Sequence, residues 1–200
     1  MPVEEVVVAT SNPGKLREVC AILSGLEGHL LALEAVAPLC FPEEGDDYDA
    51  NAAAKALTCA RATGRLALAD DSGLEVDALG GRPGVRSARY GGPGLDDAGR
   101  VARLLEELRG VTEAGRSARF VCSAALAYPD GRVLGARGRC EGRILAVARG
   151  ASGFGYDPIF QPDGWEVSMA ELSENEKNRL SHRARAFRAL RGDIEAALSG

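Results

Sequence analysis

Two adjacent carboxylates, Asp70 and Asp71, are the residues of this sequence with the most evident chemistry. They follow the apolar run Leu66–Leu68, and we expect the strand that this run forms to end at Ala69. Two like charges this close usually need a cation or a proton to relieve them. Mg²⁺ is held by one or two carboxylates and completes its shell with water and substrate phosphates. The pair predicts a metal site near phosphate-binding groups, or else a turn in which both carboxylates accept backbone hydrogen bonds beside Ser72.

A candidate phosphate-binding loop lies between a predicted strand, 5–9, and a predicted helix, 16–23. It combines hydroxyl groups, an amide, a glycine and an ammonium group in Thr10, Ser11, Asn12, Pro13, Gly14 and Lys15. Backbone N–H groups and the helix dipole favour an anion at such a position. The spacing differs from the Walker A motif. Turns of this composition are common, so an ordinary loop stays open as the alternative.

A run of acidic residues precedes the Ala-rich segment 50–63, for which we expect a helix. The run comprises Glu43, Glu44, Asp46, Asp47 and Asp49. If this loop folds back beside Asp71, Glu43 or Glu44 could hold a metal together with Asp71. The remaining carboxylate could then deprotonate water, because a bound metal makes its water more acidic. Taken alone, such a run is typical of a solvated loop.

Two aromatic rings lie in a glycine-rich loop, 152–158, which contains Phe154, Gly155, Tyr156 and Asp157. Exposed rings beside glycine can stack on a nucleobase, because every base has a π-face. The alternative is that Phe154 and Tyr156 pack into the core beside a turn.

Hydrogen-bond donors gather near the start of the last predicted helix, which runs from Ser181 to about residue 198. They are Lys177, His182 and Arg183, and arginine pairs well with O6 and N7 of a purine. A surface charge and a helix-end polar residue are the alternatives for Arg183 and His182. Lysine is rare here, with three residues against 21 arginines. Each lysine is therefore a candidate for a position that needs a compact ammonium group, with codon bias as the alternative.

The composition, with 46% apolar and 26% charged residues, is ordinary for a soluble globular enzyme. The net charge of −5 argues against a nucleic-acid polymer as partner. No apolar run is long enough to span a membrane, and residues 1–9 do not resemble a signal peptide. The five cysteines are odd in number and widely spaced. We expect them to be buried free thiols in a reducing compartment, which predicts a cytoplasmic location.

Strands and helices alternate along the chain without a repeat or a linker. Segment 96–109 has a helical apolar stripe, and segments 118–128 and 133–140 form a predicted hairpin around Pro129-Asp130-Gly131. We therefore predict the α/β class (mixed α+β), with residues 1–200 in a single domain. The phosphate loop, the carboxylates, the aromatic loop and the donors together indicate a nucleotide hydrolase.

The chain also resembles the inosine/xanthosine triphosphate pyrophosphatase family, whose members remove non-canonical purine nucleotides. The resembling segments follow one another through nearly the whole chain: Ala9–Lys15, Asn51-Ala52, Lys55-Ala56, Ala69–Leu74, Val76-Asp77, Gly84, Ser87–Tyr90, Gly153–Phe160, Ala170–Leu172, Glu176-Lys177 and Ser181–Arg183. Each segment is weak alone, whereas the ordered set is highly specific. The resemblance implies Mg²⁺-dependent hydrolysis of ITP, dITP and XTP to the monophosphate and pyrophosphate. It also implies a homodimer and an elongated central mixed β-sheet flanked by helices, with two lobes and an active-site cleft between them.

At the phosphate end, the resemblance implies that Thr10–Lys15 hold the triphosphate, with Lys15 stabilising the leaving pyrophosphate. Asp71 is expected to act as the catalytic base or to bind metal, with Asp70 beside it. Ser72 is expected to touch the substrate.

At the base end, the resemblance implies that Phe154–Asp157 pack against the base and sugar. Lys177 is expected to contact the nucleotide, and His182 and Arg183 to read the 6-oxo edge of the purine. The central expectation is one cleft that binds the phosphates at one end and the purine at the other.

Two departures from the family pattern stand out. Ser11 replaces a glycine, and a positive φ at this position would be mildly strained for serine. The acidic loop is also atypical: counting back from Asn51 without a gap selects Glu43 as the metal ligand, whereas a one-residue deletion selects Glu44. We prefer Glu43 at this point.

Two other function classes stay open from the sequence. One is a phosphatase acting on other phosphorylated metabolites, which would release orthophosphate. The other is a non-catalytic nucleotide sensor, which would bind ITP without turnover.

Overall fold

The computed structural model describes residues 5–26, 28–36 and 39–199. Within these ranges there are five α-helices: α1 (Pro13–Ile22), α2 (Tyr48–Thr63), α3 (Asp97–Glu107), α4 (Glu174–Leu180) and α5 (His182–Leu198). The strands of the same ranges are β1 (Glu5–Val8), β2 (His29–Ala32), β3 (Leu66–Val76), β4 (Pro83–Gly84), β5 (Ser117–Ala127), β6 (Val133–Ile144) and β7 (Phe160–Pro162). No helix in the described part of the chain is long and apolar enough to cross a membrane.

The strands form one sheet in the order β2-β1-β3-β5-β6-β7, and β4 pairs with β3. Strand β1 is parallel to both β2 and β3, whereas β4 is antiparallel to β3 and β7 is antiparallel to β6. The sheet is therefore mixed, and the predicted mixed α/β class is confirmed. The predicted hairpin is also present, since β5 and β6 are neighbours and the Tyr128 N–H donates to the Arg132 carbonyl across the turn at 2.9 Å.

The chain divides into two compact units, and the division falls inside β3, β5 and β6. The first unit comprises residues 1–71, 122–138 and 182–200. It has two apolar clusters, one around Leu68 and Phe187 and the other around Ala52 and Ala67. The second unit comprises residues 72–121 and 139–181, with an apolar cluster that includes Leu104, Phe120 and Phe160. The cleft expected between two lobes stays a prediction.

Side-chain caps explain where helices α1, α2 and α4 begin. Asn12 and Asp47 cap α1 and α2, because their side chains accept backbone N–H groups of the first turn. Ser173 and Glu176 form a capping box at the start of α4, as a serine followed three residues later by a glutamate predicts. Helix α2 ends at Gly64, whose φ of +65° favours glycine.

The structure corrects three expectations about local structure. Strand β3 does not end at Ala69 but continues through Asp70, Asp71 and beyond to Val76. The apolar segment 30–36 predicts a second strand, but β2 ends at Ala32, because a 3₁₀ turn, Leu33–Ala35, follows it. None of the five cysteines, all within the described ranges, forms a disulfide, but only Cys59, Cys122 and Cys140 are buried, whereas Cys20 is half-buried and Cys40 is exposed.

Candidate active site

Strand β3 carries both carboxylates in its interior. Successive side chains of a strand point to opposite faces, so Asp70 and Asp71 contact different groups. Asp70 contacts Lys15 and Arg183, whereas Asp71 contacts Asn51 and Lys55. Each carboxylate thus has its own nearby cations, Lys15 and Arg183 for Asp70 and Lys55 for Asp71. A metal beside the pair stays a prediction.

Asp70 forms the centre of a buried ion-pair network. Its Oδ2 lies 3.0 Å from Lys15 Nζ and 3.0 Å from Arg183 Nη2, and the other side of the guanidinium contacts Glu18. Burial alone would raise the pKa of Asp70, but Arg183, Lys15 and Lys55 outweigh it and hold this pKa well below its ordinary value. Asp70 is therefore a fixed negative charge that orients Lys15.

Asp71 lies in a hydrogen-bonded setting that leaves it able to accept more donors. Asn51 Nδ2 donates to its Oδ2 at 2.8 Å, and Lys55 Nζ lies 3.3 Å from its Oδ1. Each carboxylate oxygen has two lone pairs, so both can accept a further hydrogen bond. The side chain of Asp71 is 5% exposed. This geometry suits a carboxylate that accepts a proton from a bound water.

The acidic loop folds back toward Asp71, and two residues of α2, Asn51 and Lys55, contact both the loop and Asp71. Asn51 accepts the Gly45 N–H at 2.8 Å and donates to the Gly45 carbonyl at 3.1 Å. Lys55 Nζ lies 3.0 Å from Glu44 Oε1, so Glu44 and Asp71 share one ammonium group. Glu43 is exposed. The geometry therefore favours Glu44 over Glu43 as the carboxylate that acts together with Asp71.

Of the predicted phosphate-binding residues, Thr10–Asn12 lie between β1 and α1, whereas Pro13–Lys15 form the first turn of α1, which begins at Pro13 and not at residue 16 as expected. Two of their backbone donors are already used. Asn12 Oδ1 accepts the Gly14 N–H at 2.8 Å and the Lys15 N–H at 3.1 Å. What the loop offers an anion is the charge of Lys15, the helix dipole and the hydroxyl groups of Thr10 and Ser11. Ser11 does not have a positive φ, so the expected strain is absent. Ser11 and Pro13 are exposed.

In the second unit, the two rings of the aromatic loop take different roles. Tyr156 is 4% exposed, packs in the apolar cluster and donates from its hydroxyl to the Ser87 carbonyl at 3.1 Å. Phe154 is half-exposed, and its ring centre lies 4.9 Å from Lys177 Nζ. Tyr156 thus follows the core-packing alternative, whereas Phe154 keeps a face that can stack on a base.

Asp157 and Lys177 form a buried ion pair with an N–O distance of 2.5 Å. The same Asp157 oxygen accepts the Phe154 N–H at 2.9 Å. Asp157 therefore links the ammonium group of Lys177 to the backbone of the aromatic loop. Ser72, also in the second unit, is half-buried on β3.

The remaining predicted residues, His182 and Arg183, form the first turn of α5 in the first unit and are 5% and 1% exposed. Gly138 lies so close that a Cβ there would meet the His182 carbonyl oxygen at 2.1 Å. Arg183 is hydrogen-bonded to Asp70 and Glu18, a role that the sequence does not predict. Contact of His182 and Arg183 with the purine edge stays a prediction.

Sequence reasoning also missed Asn51, Lys55 and Glu18 as site residues. Two of them had a usable signal, since Asn51 and Lys55 lie in resembling segments one helical turn apart. The scarcity of lysine was the other signal. All three lysines contact an aspartate carboxylate that is no more than 5% exposed: Lys15 with Asp70, Lys55 with Asp71 and Lys177 with Asp157.

The described residues thus combine a mixed sheet, a strand–loop–helix turn that carries Lys15, and buried carboxylates paired with lysine. The model of the Ham1 family matches residues 6–193, and the chain belongs to this family. The resemblance found in the sequence is thereby confirmed.

Relatives and solved structures agree with this assignment. A dITP/XTP pyrophosphatase of Deinococcus deserti is 51% identical over 187 residues, covering 93% of this chain and 87% of the relative. The dITP/XTP pyrophosphatase of Deinococcus radiodurans is 50% identical over 189 residues, covering 94% of this chain and 92% of the relative. The Ham1 protein of Staphylococcus aureus has a similar structure, with a TM-score of 0.85 at 35% identity, covering 97% of this chain and 100% of that chain.

Proposed function

We propose that this protein hydrolyses the non-canonical purine nucleoside triphosphates dITP, ITP and XTP to the monophosphate and pyrophosphate. The observation that carries the proposal is the setting of Asp71, which is held by Asn51 and Lys55 beside Glu44. The relatives at 50% and 51% identity, both dITP/XTP pyrophosphatases, support the choice of substrate. Removal of deaminated purines from the nucleotide pool is the expected role.

Mg²⁺ is the proposed cofactor, and the donor set fits it. Glu44 and Asp71 already share one cation, the ammonium group of Lys55. Two carboxylates are a typical protein contribution to Mg²⁺, with water and phosphates as the other ligands. The described residues contain no group of three or more His, Cys, Asp or Glu placed to hold a metal. When bound, Mg²⁺ would neutralise phosphate charge and make its water more acidic.

The chain's own residues supply the other parts of the reaction. Asp71 accepts a proton from the attacking water, whose oxygen forms a bond to the α-phosphorus while the bond to the bridging oxygen of pyrophosphate breaks. Lys15, oriented by Asp70, stabilises the charge on the leaving pyrophosphate. Asn51 and Lys55 hold the Asp71 carboxylate in one position, so that little reorganisation is needed during the reaction.

The purine is proposed to lie against Phe154, with Lys177 contacting the nucleotide and His182 and Arg183 donating to the 6-oxo group. Donors that face O6 would be left unpaired against the 6-amino group of ATP, and such mismatches discriminate strongly. GTP shares O6 with ITP, so its exclusion must come from the 2-amino group.

A panel of nucleoside triphosphates tests the proposed function. With Mg²⁺, kcat/KM for dITP and XTP should exceed that for ATP by at least about a hundredfold. The product beside the monophosphate should be pyrophosphate, and a chelator should abolish turnover. Equal constants across the panel would contradict the assignment, orthophosphate release would indicate a phosphatase, and calorimetric binding without turnover would indicate a sensor.

We also propose a homodimer in the cytoplasm. The dimer is supported by family membership, and the compartment by five free thiols, which are typical of a reducing environment.

A further inference from the structure

The aromatic loop of the second unit is tied to helix α3 by one carboxylate, that of Asp97. Oδ2 of Asp97 accepts the Gly155 N–H at 2.7 Å, and Oδ1 accepts from Arg100 Nη2 at 2.8 Å. Asp97 is the first residue of α3 and is separated from Gly155 by 58 positions in sequence. Its two oxygens thus connect the loop to a rigid element of the same unit.

The loop needs such a connection because its backbone is unusually free. Gly153 and Gly155 have φ values of +77° and +61°, which favour glycine, the residue with the greatest conformational freedom. A Cβ on Gly153 would lie 2.2 Å from Asp157 Oδ2, so a side chain there is also sterically excluded. Two glycines therefore flank Phe154, and hydrogen bonds limit the conformations between them, including one from the Asp157 N–H to the Phe154 carbonyl at 3.3 Å.

Two carboxylates provide further hydrogen bonds, one on each side of the Phe154 peptide. Asp157 accepts the Phe154 N–H from within the loop, whereas Asp97 accepts the next N–H from outside it. Arg100 and the Gly155 N–H outweigh the effect of burial and lower the pKa of Asp97. Asp97 is therefore ionised near neutral pH, and hydrogen bonds to a charged acceptor are the stronger kind.

We propose that Asp97 is a positioning residue that holds the Phe154-Gly155 backbone in the conformation in which Phe154 presents its ring to the purine. This inference rests on the proposed function, because it assigns Phe154 to base binding. Asp97 makes no contact with the reacting phosphates in this scheme. Its loss should weaken binding in the ground state and the transition state equally, which raises KM and leaves kcat unchanged.

The test compares Asp97→Ala, Asp97→Asn and Asp96→Ala with the unchanged protein. Asp96 is a matched control, since it caps the same helix by accepting the Gly99 N–H at 2.8 Å. For Asp97→Ala we expect KM for dITP to rise about tenfold with kcat within about twofold. Asp97→Asn keeps an acceptor, so its KM should lie between those of Asp97→Ala and the unchanged protein. Asp96→Ala should leave KM unchanged.

Two further readouts separate this inference from the proposed function. Amide hydrogen exchange of segment 150–158 without nucleotide should speed up in Asp97→Ala and not in Asp96→Ala. Inhibition by inorganic tripolyphosphate, which lacks a base, should be the same in all four proteins. Unchanged KM and exchange in Asp97→Ala, or an equal KM increase in Asp96→Ala, would overturn the inference. If the protein without substitutions does not hydrolyse dITP, the proposed function is overturned. The amide hydrogen exchange of segment 150–158 would still decide whether Asp97 holds the loop.

Discussion

Replacing Asp71 by Asn should lower kcat for dITP by about a thousandfold or more, within the range that a positioned general base contributes. Asparagine has nearly the same shape but cannot accept the proton of the attacking water. Lys15 pairs with Asp70 and not with Asp71, so dITP should still bind when Mg²⁺ is saturating. Steady-state kinetics at saturating dITP and Mg²⁺ give kcat, and calorimetry with the variant gives the affinity.

Asp49→Asn provides the matched control for this experiment. Asp49 is also a paired carboxylate of the first unit, since it is hydrogen-bonded to Ser123 and Arg137. It has no place in the proposed reaction, so Asp49→Asn should keep kcat within about twofold. Turnover of Asp71→Asn close to that of the unchanged protein would falsify the role of Asp71 as the base.

Replacing Arg183 by Met should lower the free energy of unfolding by about 3–5 kcal/mol. The change leaves the Glu18 carboxylate without the guanidinium and leaves Asp70 with Lys15 as its remaining close cation. Arg183 is 1% exposed, so water does not readily replace the lost hydrogen bonds. Urea unfolding of both proteins gives the difference.

Arg185→Met is the control for Arg183→Met, because Arg185 is exposed on the same helix. A surface substitution of this kind should change stability by no more than about 0.5 kcal/mol. The low pKa of Asp70 contributes stability that is present above the ordinary pKa of aspartate, about 3.9, and is lost as the pH falls below it. The difference between Arg183→Met and the unchanged protein should therefore shrink in acid. Equal losses in the two variants at neutral pH would show that the buried network contributes nothing specific.

Local sequence signals predicted much of the fold. The Ala-rich segment formed α2, the Pro129-Asp130-Gly131 turn formed the hairpin, and Ser173 with Glu176 formed a capping box. The predicted strand ended too early, at Ala69, because aspartate and glycine are rare in strands, whereas β3 continues to Val76. Its continuation depends on distant partners, since Arg183 reaches Asp70 across 113 positions of sequence. Spacing alone cannot reveal such a contact.

The candidate site divides in the same way. Residue type and order select Asp71, Lys15 and the aromatic loop as candidates, and their roles stay predictions. Which acidic residue acts with Asp71 depends on the path of a loop, and only the Lys55 contact distinguishes Glu44 from Glu43. The sequence does not show whether Tyr156 packs in the core, because the acceptor of its hydroxyl, the Ser87 carbonyl, lies 69 positions away in sequence.

Hydrolysis of dITP in water enriched in ¹⁸O tests the central claim, attack of water on the α-phosphorus. Mass spectrometry of the products locates the label after a single turnover with Mg²⁺. The proposed mechanism predicts one ¹⁸O atom in the monophosphate and none in pyrophosphate. Label in the pyrophosphate, or in released orthophosphate, would contradict it.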